Sequence, residues 1–444
     1  MKNEKESGLN SFIEKKLLPV AAKLGSLKPL IAIRDGISLA MPLIIVGSVF
    51  LILTNFPVES WTNWLNSTSF HGVSIADVFN KITNGSFGLL GMISSFGIAS
   101  SFAEQYETDG KSAGVIAVGS FFVVTPSIMT SGKTTLEGMP YGYMGSKGLF
   151  IAIILGLITG WIFQWFINHN IQIVLPDTVP PAVAKSFSAL IPGAVIVTLF
   201  GALYAIFAWT DLGNIHEILL IVLGGPLGLL GNTLGGTVIA VMLNSLFWFV
   251  GIHGGNVVNP IISPIWLMNA DANRVLLKAG NLDLEHGGHI ITAPFIDSFV
   301  FIGGSGATLG LVLCIGLLVI MKKASKESEI LAPLTIMPGI FKINEPAMFG
   351  LPIVLNTTLI IPFVLAPVMN AIIAYVAMSL KIVPLTVGVV MPWTTPPFVS
   401  GFLATNSWVG SALQLLLIVL DMAIYMPFMI TMNRQQLIRE QKID

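Results

Sequence analysis

Residues 233–266 read TLGGTVIAVMLNSLFWFVGIHGGNVVNPIISPIW, an apolar run that meets His253, Gly254, Gly255 and Asn256, then Asn259-Pro260 and Pro264. The run up to Val250 has the composition of a helix in lipid, and the prolines beyond it are expected to stop any regular helix. Backbone of that kind at membrane depth is tolerated only where it is buried in protein or lines a watery cavity. The segment therefore points to a helical membrane protein with a polar site inside it. His253, Asn256 and Asn259 between Trp248 and Trp266 suit a sugar, whose hydroxyls need paired donors and acceptors while its apolar face stacks on an indole. The other reading is a loop just outside the membrane, with His253 capping a helix.

Composition extends the membrane reading to the whole chain. The 444 residues are 54% hydrophobic and 10% charged, with mean hydropathy +0.83, against about 25% charged residues in soluble domains. The 44 glycines and 25 prolines are tolerated in membrane helices whose neighbours or cavities satisfy the freed backbone. A net charge of −1 gives no reason to expect a nucleic-acid partner. The single cysteine, Cys314, excludes an internal disulfide framework or thiolate cluster. No secretory signal opens the chain. Leu9, Phe12, Ile13, Leu17, Val20 and Leu24 recur at helical spacing among Glu14, Lys15, Lys16 and Lys23. That stretch reads either as an amphipathic helix on the membrane surface or as a solvated tail packed on the first span.

A span needs roughly 20 apolar residues. Runs near 31–54, 86–103, 113–129, 148–168 and 189–209 qualify, as do weaker ones near 216–231, 233–252, 298–321, 351–376 and 409–431. The fold class predicted is an all-α polytopic membrane protein of about ten transmembrane helices with re-entrant hairpins. An even number places both termini on one side. The N-terminal lysines, Lys322, Lys323 and Lys326, and Arg434, Arg439 and Lys442 then share that side, which the positive-inside rule makes cytoplasmic. Trp61 and Trp64 mark an interfacial segment on the outer face, and the longest other polar connection surrounds Asp271 to His289. No soluble module of useful size remains, so an energy-converting domain is expected on a separate protein.

A second constellation is Pro338-Gly339-Ile340-Phe341-Lys342-Ile343-Asn344-Glu345-Pro346. An ionisable residue within a long apolar stretch is a functional-site hypothesis by default, and Asn344 and Pro346 around Glu345 argue for an unwound turn. The carboxylate would accept a hydrogen bond from a substrate hydroxyl and, suitably placed, serve as general base. The competing reading makes Lys342 and Glu345 a structural ion pair at the cytoplasmic interface. Pro392-Trp393-Thr394-Thr395-Pro396-Pro397 has the same broken character, as a lining loop or an outer turn, and adds Trp393 to the substrate-binding set.

At these residues the chain resembles a known family, the membrane subunit (enzyme IIC) of the bacterial phosphoenolpyruvate-dependent sugar phosphotransferase system, in its lactose, cellobiose and chitobiose branch. The likeness runs nearly end to end. It includes Lys28 to Gly36 with Ile33-Arg34-Asp35-Gly36, and Leu175-Pro176-Asp177 through Val179-Pro180-Pro181 to Ser186-Phe187. The His253-Gly254-Gly255-Asn256 and Asn344-Glu345-Pro346 turns complete it. One departure is Asn356-Thr357-Thr358, where the family pattern has Asn-Pro.

The resemblance implies a permease that translocates a β-linked disaccharide, of cellobiose or N,N'-diacetylchitobiose type, with phosphorylation at its 6-hydroxyl. It carries catalytic roles at that hydroxyl to His253 and Glu345, and the residue reading above adds Trp248, Asn256, Asn259, Trp266, Asn344 and Trp393 to these two as substrate contacts. The phosphoryl donor is a phosphocysteine on IIB, here expected as a separate polypeptide fed by IIA and HPr. It also implies a homodimer in the bacterial cytoplasmic membrane. The organisation expected is 1–28 interfacial N-terminus, 29–212 dimerising bundle, 213–433 substrate-binding half and 434–444 cytoplasmic tail. No metal or cofactor is predicted, because no metal-ligand motif is present and His286 and His289, three residues apart, stand in a Gly-rich outer loop without a helical context. The rival is an ion-coupled secondary sugar transporter, for which Asp35, Asp297 and Asp421 form no cluster visible in sequence.

Overall fold

A computed structural model of the chain describes residues 23 and 26–440 except 57, 132, 133, 177, 211, 212, 352, 354, 355 and 357. Apart from Lys23, the amphipathic stretch expected at the N-terminus lies outside the described residues. The protein is helical. Among the described residues, six helical stretches are long and apolar enough to cross a membrane: Lys28–Thr54, Ile75–Glu104, Ser146–Asn168, Pro181–Ala208, Ile360–Ser379 and Trp408–Glu440. A seventh arises if the bent pair Gly224–Gly231 and Leu234–Phe249 is one span, and Gly110–Val124 and Thr308–Ile320 are shorter apolar helices. The shortfall from about ten full-length spans has a local cause, because several apolar runs break within the membrane-depth sequence.

The first half opens with α1 (Lys28–Ser38) and α2 (Met41–Thr54), followed by α3 (Glu59–Ser67), α4 (Ile75–Phe87), α5 (Leu90–Glu104) and α6 (Gly110–Val124). An antiparallel hairpin of β1 (Ser69–Phe70) and β2 (Val73–Ser74) leads into α4, where Ser74 and Asp77 form a reciprocal capping box. Trp61 and Trp64 of α3 lie 5.2 Å apart, and the Trp61 indole N–H donates to the Leu53 carbonyl at 2.7 Å. The run near 113–129 ends in a second hairpin, β3 (Ile128–Ser131) with β4 (Thr134–Glu137). Then come α7 (Leu149–Asn168), α8 (Pro181–Ser188) and α9 (Leu190–Ala208). Helix α5 packs against α1, α6 and α7. Gly36 and Gly97 allow the α1–α5 approach, since a Cβ on Gly97 would lie 2.7 Å from Gly36 Cα.

The second half contains α10 (Ile215–Val222), α11 (Gly224–Gly231), α12 (Leu234–Phe249), α13 (Gly254–Lys278), α14 (Thr308–Ile320), α15 (Lys326–Ile340), α16 (Glu345–Gly350), α17 (Ile360–Ser379), α18 (Val399–Thr405) and α19 (Trp408–Glu440). Helices α11 and α12 meet at 74°. The run near 298–321 is helical only from Thr308. Before it lie a π turn at Ile296–Val300 and a loop with left-handed Gly303, Gly304, Gly306 and Ala307. Helix α17 begins after an Asx turn in which the Asn356 carboxamide accepts from the Thr358 N–H at 3.0 Å, so the entry lacking Asn-Pro is closed by a side chain. Residues 434–440, expected as part of a tail, continue α19.

One expectation is corrected. Pro260 and Pro264 do not stop a helix; α13 runs unbroken for 25 residues with both prolines inside it. Each ring removes an N–H and frees the carbonyl four residues earlier, that of Asn256 or Pro260. Asn256, Pro260, Ser263 and Leu267 all line one cavity, so the freed carbonyls lie on the wettest face of the helix. Asp271 to Lys278, read as the start of a polar connection, are its last two turns.

Helix α13 also holds the two irregular segments of this half. The Asn273 carboxamide donates to the carbonyls of His289 and Thr386, each at 2.8 Å, and accepts from the His289 N–H at 2.8 Å. Asn269 donates to Ile291 O and to Asn232 Oδ1, both at 2.7 Å. The same helix ties to the first half. Asp271 accepts from Ser146 and pairs with Arg274 at 2.8 Å, whose guanidinium donates to Asn84 Oδ1 at 3.2 Å.

Candidate functional site

The turn between α12 and α13 is shaped by its glycines. A Cβ on Gly254 would fall 2.1 Å from the Asn244 carbonyl oxygen, so the first turn of α13 lies directly against the α12 backbone. A Cβ on Gly255 would stand 3.2 Å from His253 Cε1 and 3.3 Å from Asn259 Nδ2, in the space those side chains use. His253 is the N-cap residue of α13, and its ring lies 4.4 Å from that of Trp248, tilted by 50°. Gly254→Ala is expected to push α13 off α12 and weaken ligand binding about tenfold or more, as steric strain of 1–3 kcal/mol would. Unchanged affinity in purified protein would show that the close approach is not needed.

The second turn follows α15. Lys342 takes a left-handed backbone (φ 62°) in the position after a helix end where glycine is usual, and Glu345 opens α16. Asn344 packs beneath the glycine loop: its Nδ2 donates to Ser305 O at 3.1 Å, and a Cβ on Gly304 would lie 2.8 Å from Asn344 Cγ. The ion pair between Lys342 and Glu345, the competing reading of this turn, is not formed. The Lys342 ammonium donates instead to the backbone carbonyl of Asp297, in the π turn.

These turns face one another across a cavity of about 510 Å³, within the range of small-molecule sites. It brings together Trp248, His253, Asn256, Asn259, Trp266, Asn344, Glu345 and Trp393. Glu345, His253, Asn259 and Trp393 are exposed, whereas Trp248, Trp266 and Asn344 are buried. Glu345 and Arg34 are the charged groups that line the cavity from α16 and α1 beside the His253 imidazole's turn. Asn244 Oδ1, Trp248 Nε1 and Trp266 Nε1 have no protein hydrogen-bond partner. Buried polar atoms left open in this way are what a hydroxyl-rich ligand or water satisfies.

The cavity also holds residues that the site reading left out. Arg34 and Ser38 come from α1, Asn244 from α12, and Asp297, Ser305 and Lys342 from the irregular segments. Arg34 was visible only within a family-like stretch, and Asp297 only as a lone acid near a span. Their neighbours lie far away in sequence. Of the other acids near spans, Asp35 pairs with Arg34 at 2.7 Å, and Asp421 accepts from Asn370 at 3.0 Å through Oδ2, its Oδ1 being buried without a hydrogen-bond partner. Outside the membrane-depth segments, His286 pairs with Asp283 at 2.8 Å. The hydrogen bonds from the imidazole and backbone of His286 hold the Asp283 carboxyl below its ordinary value.

Comparison with known proteins identifies the family and the fold. Residues 34–367 match the family described as phosphotransferase system, EIIC. The chain is 40% identical to the cellobiose-specific EIIC component of Geobacillus stearothermophilus, over 97% of this chain and 95% of that one. It is 38% identical to the lichenan permease IIC component of Bacillus subtilis, over 98% and 96%. The crystal structure of the transporter ChbC, the IIC component of an N,N'-diacetylchitobiose-specific phosphotransferase system, superposes with TM-score 0.90 at 37% identity, covering 97% of this chain and 99% of that one. The ion-coupled transporter is thereby set aside. A chain matched along its length by IIC components, with its two polar turns converging on one cavity among apolar helices, is an integral membrane permease that belongs to the phosphotransferase system EIIC family.

Proposed function

We propose that the cavity takes a β-linked disaccharide and presents its 6-hydroxyl between His253 and Glu345 to a phosphocysteine on a IIB partner. The observation that carries this reading is the convergence of three indoles and four carboxamides, counting Asn244, on the His253 imidazole and the Glu345 carboxylate in a single cavity. Indoles stack on the apolar face of a pyranose, and carboxamides pair with its hydroxyls as donors and acceptors. In the transfer, the O6 lone pair forms the O–P bond, the S–P electrons leave on the cysteine thiolate, and the O6 proton passes to Glu345. His253 fixes the oxygen for that attack. Similarity to cellobiose, lichenan and diacetylchitobiose components supports the β-linked class. The charge gained traps the product inside, so uptake needs no ion gradient.

The topology proposed with this function has both termini cytoplasmic and two copies joined through the first half, with IIA and HPr supplying IIB. The test is uptake of labelled cellobiose and diacetylchitobiose into membrane vesicles with and without the soluble phosphocarrier proteins. Uptake that requires the carriers and yields the 6-phosphate supports the reading. Uptake driven by an ion gradient alone sinks it. His253→Ala is expected to weaken sugar affinity about tenfold, the scale of one lost hydrogen bond. Calorimetric titration showing wild-type affinity would remove His253 from the site.

A further inference from the structure

We propose that Lys342 is the anion-holding residue of this cavity: its ammonium receives the non-bridging oxygens of the phosphoryl group in transit to the sugar and then holds the phosphate of the product. The inference rests on the sugar-phosphorylating reading of the site. It starts from an oddity of charge. Lys342 is only 6% exposed and lines the cavity. Its hydrogen bond is to a backbone carbonyl, that of Asp297. Among the described residues no carboxylate lies within ion-pairing distance of its ammonium. An ammonium carries three donors, and a buried charge is costly unless it is paired and hydrogen-bonded. The Asp297 carboxylate lines the same cavity and makes no ion pair with that charge. The cation is held in place with donor capacity to spare.

The backbone adds a second reason. Lys342 stands at φ 62° after α15, with its own N–H and that of Ile343 bonded back to Gly339 and Pro338 at 3.1 and 2.9 Å. Glycine fits that conformation without strain. A lysine there is disfavoured for the turn, so its side chain has to account for its presence.

Location then selects the ligand. A disaccharide is neutral, and the carboxamides Asn244, Asn256, Asn259 and Asn344 meet its hydroxyls without charge. Lys342 instead lies in the same turn as Glu345, at the reacting end. The phosphoryl group is the anion that reaches this end of the cavity, carrying charge on its equatorial oxygens. Arg34, the other cation lining the cavity, is engaged by Asp35 at 2.7 Å. Lys342 is left to take the phosphoryl oxygens, in the way positioned cations stabilise such transfers. Bonds to phosphorus form and break as described above. Lys342 gains only hydrogen bonds and exchanges no proton.

The experiment uses the full chain in lipid nanodiscs, titrated with cellobiose and separately with cellobiose carrying a 6-phosphate on its non-reducing glucose. Lys342→Met is expected to lose at least about tenfold in affinity for the phosphate ester while cellobiose affinity moves less than about threefold. Phosphorylation by phospho-IIB should fall roughly a hundredfold. Lys342→Arg, which restores a cation that binds phosphate oxygens, should recover most of both losses. Equal weakening for the two ligands would make Lys342 a structural residue and overturn the proposal. So would an unshifted affinity for the phosphate ester in Lys342→Met with normal cellobiose binding, which leaves the sugar site intact. Failure of the wild-type chain to bind any β-disaccharide overturns the underlying sugar-site reading, and the Lys342 assignment with it.

Discussion

Glu345→Gln is expected to lower sugar phosphorylation by roughly 10² to 10⁴-fold, the usual contribution of a positioned general base, while sugar affinity changes less than about tenfold. Glutamine keeps the shape of the side chain and still hydrogen-bonds a hydroxyl, so the ground-state contact survives. It cannot accept the proton that O6 releases. The split is the diagnostic. Loss of an interaction made only in the transition state lowers turnover, whereas loss of a binding contact raises the concentration needed for half saturation. Both quantities come from one assay of labelled disaccharide phosphate formed with purified IIB donor, beside calorimetric binding of the sugar. Normal turnover in the variant would remove Glu345 from its proposed role and leave only a hydroxyl-orienting one. The position suits the role: Glu345 opens α16 and is exposed to the cavity, so no protein group competes for its carboxylate.

The second large effect concerns stability. Asn273→Leu should destabilise the protein by on the order of 3–9 kcal/mol, because two carbonyls and one N–H lose their partner at 1–3 kcal/mol each. Asn273 is fully buried, and its bonds reach His289 and Thr386, at the ends of separate irregular segments. Leucine matches asparagine in branching and in number of side-chain heavy atoms, so the change removes the hydrogen bonds while keeping the shape of the side chain. A loss of this size is a large fraction of a typical total of 5–15 kcal/mol. It should appear as a marked fall in the thermal midpoint of detergent-solubilised protein. An unaltered midpoint would mean that the segments 279–292 and 380–398 satisfy their own backbone.

Much of the site was legible along the chain because its signals are local. Glycines beside His253 and prolines beside Asn259 and Glu345 mark irregular backbone wherever they occur, and an acid or imidazole in an apolar run stands out against its neighbours. Trp248 and Trp266 lie close in sequence to the polar turn they flank, so proximity alone nominated them. The features left open or misread had partners elsewhere. Lys342 and Glu345 are spaced as an ion pair should be, and the sequence holds no sign that the Asp297 carbonyl, on another element, captures the ammonium. Arg34 reaches the cavity because α1 packs against α13. Pro260 and Pro264 carry the ordinary signal for a helix end, and a neighbouring polar cavity cancels it.

The division has a physical basis. The amino-acid sequence by itself determined a helical membrane protein of the phosphotransferase EIIC kind and the two turns carrying His253 and Glu345, since composition, apolar run length and Gly/Pro punctuation act through solvent and adjacent backbone. Tertiary structure decided that α13 continues through its prolines, that Asn269 and Asn273 hold the irregular segments, and that Lys342 stands buried with donors free at the reacting end. In a medium with little water to substitute, every polar group depends on the protein partner it meets. Which partner that is follows from how distant helices pack, and no local pattern encodes it.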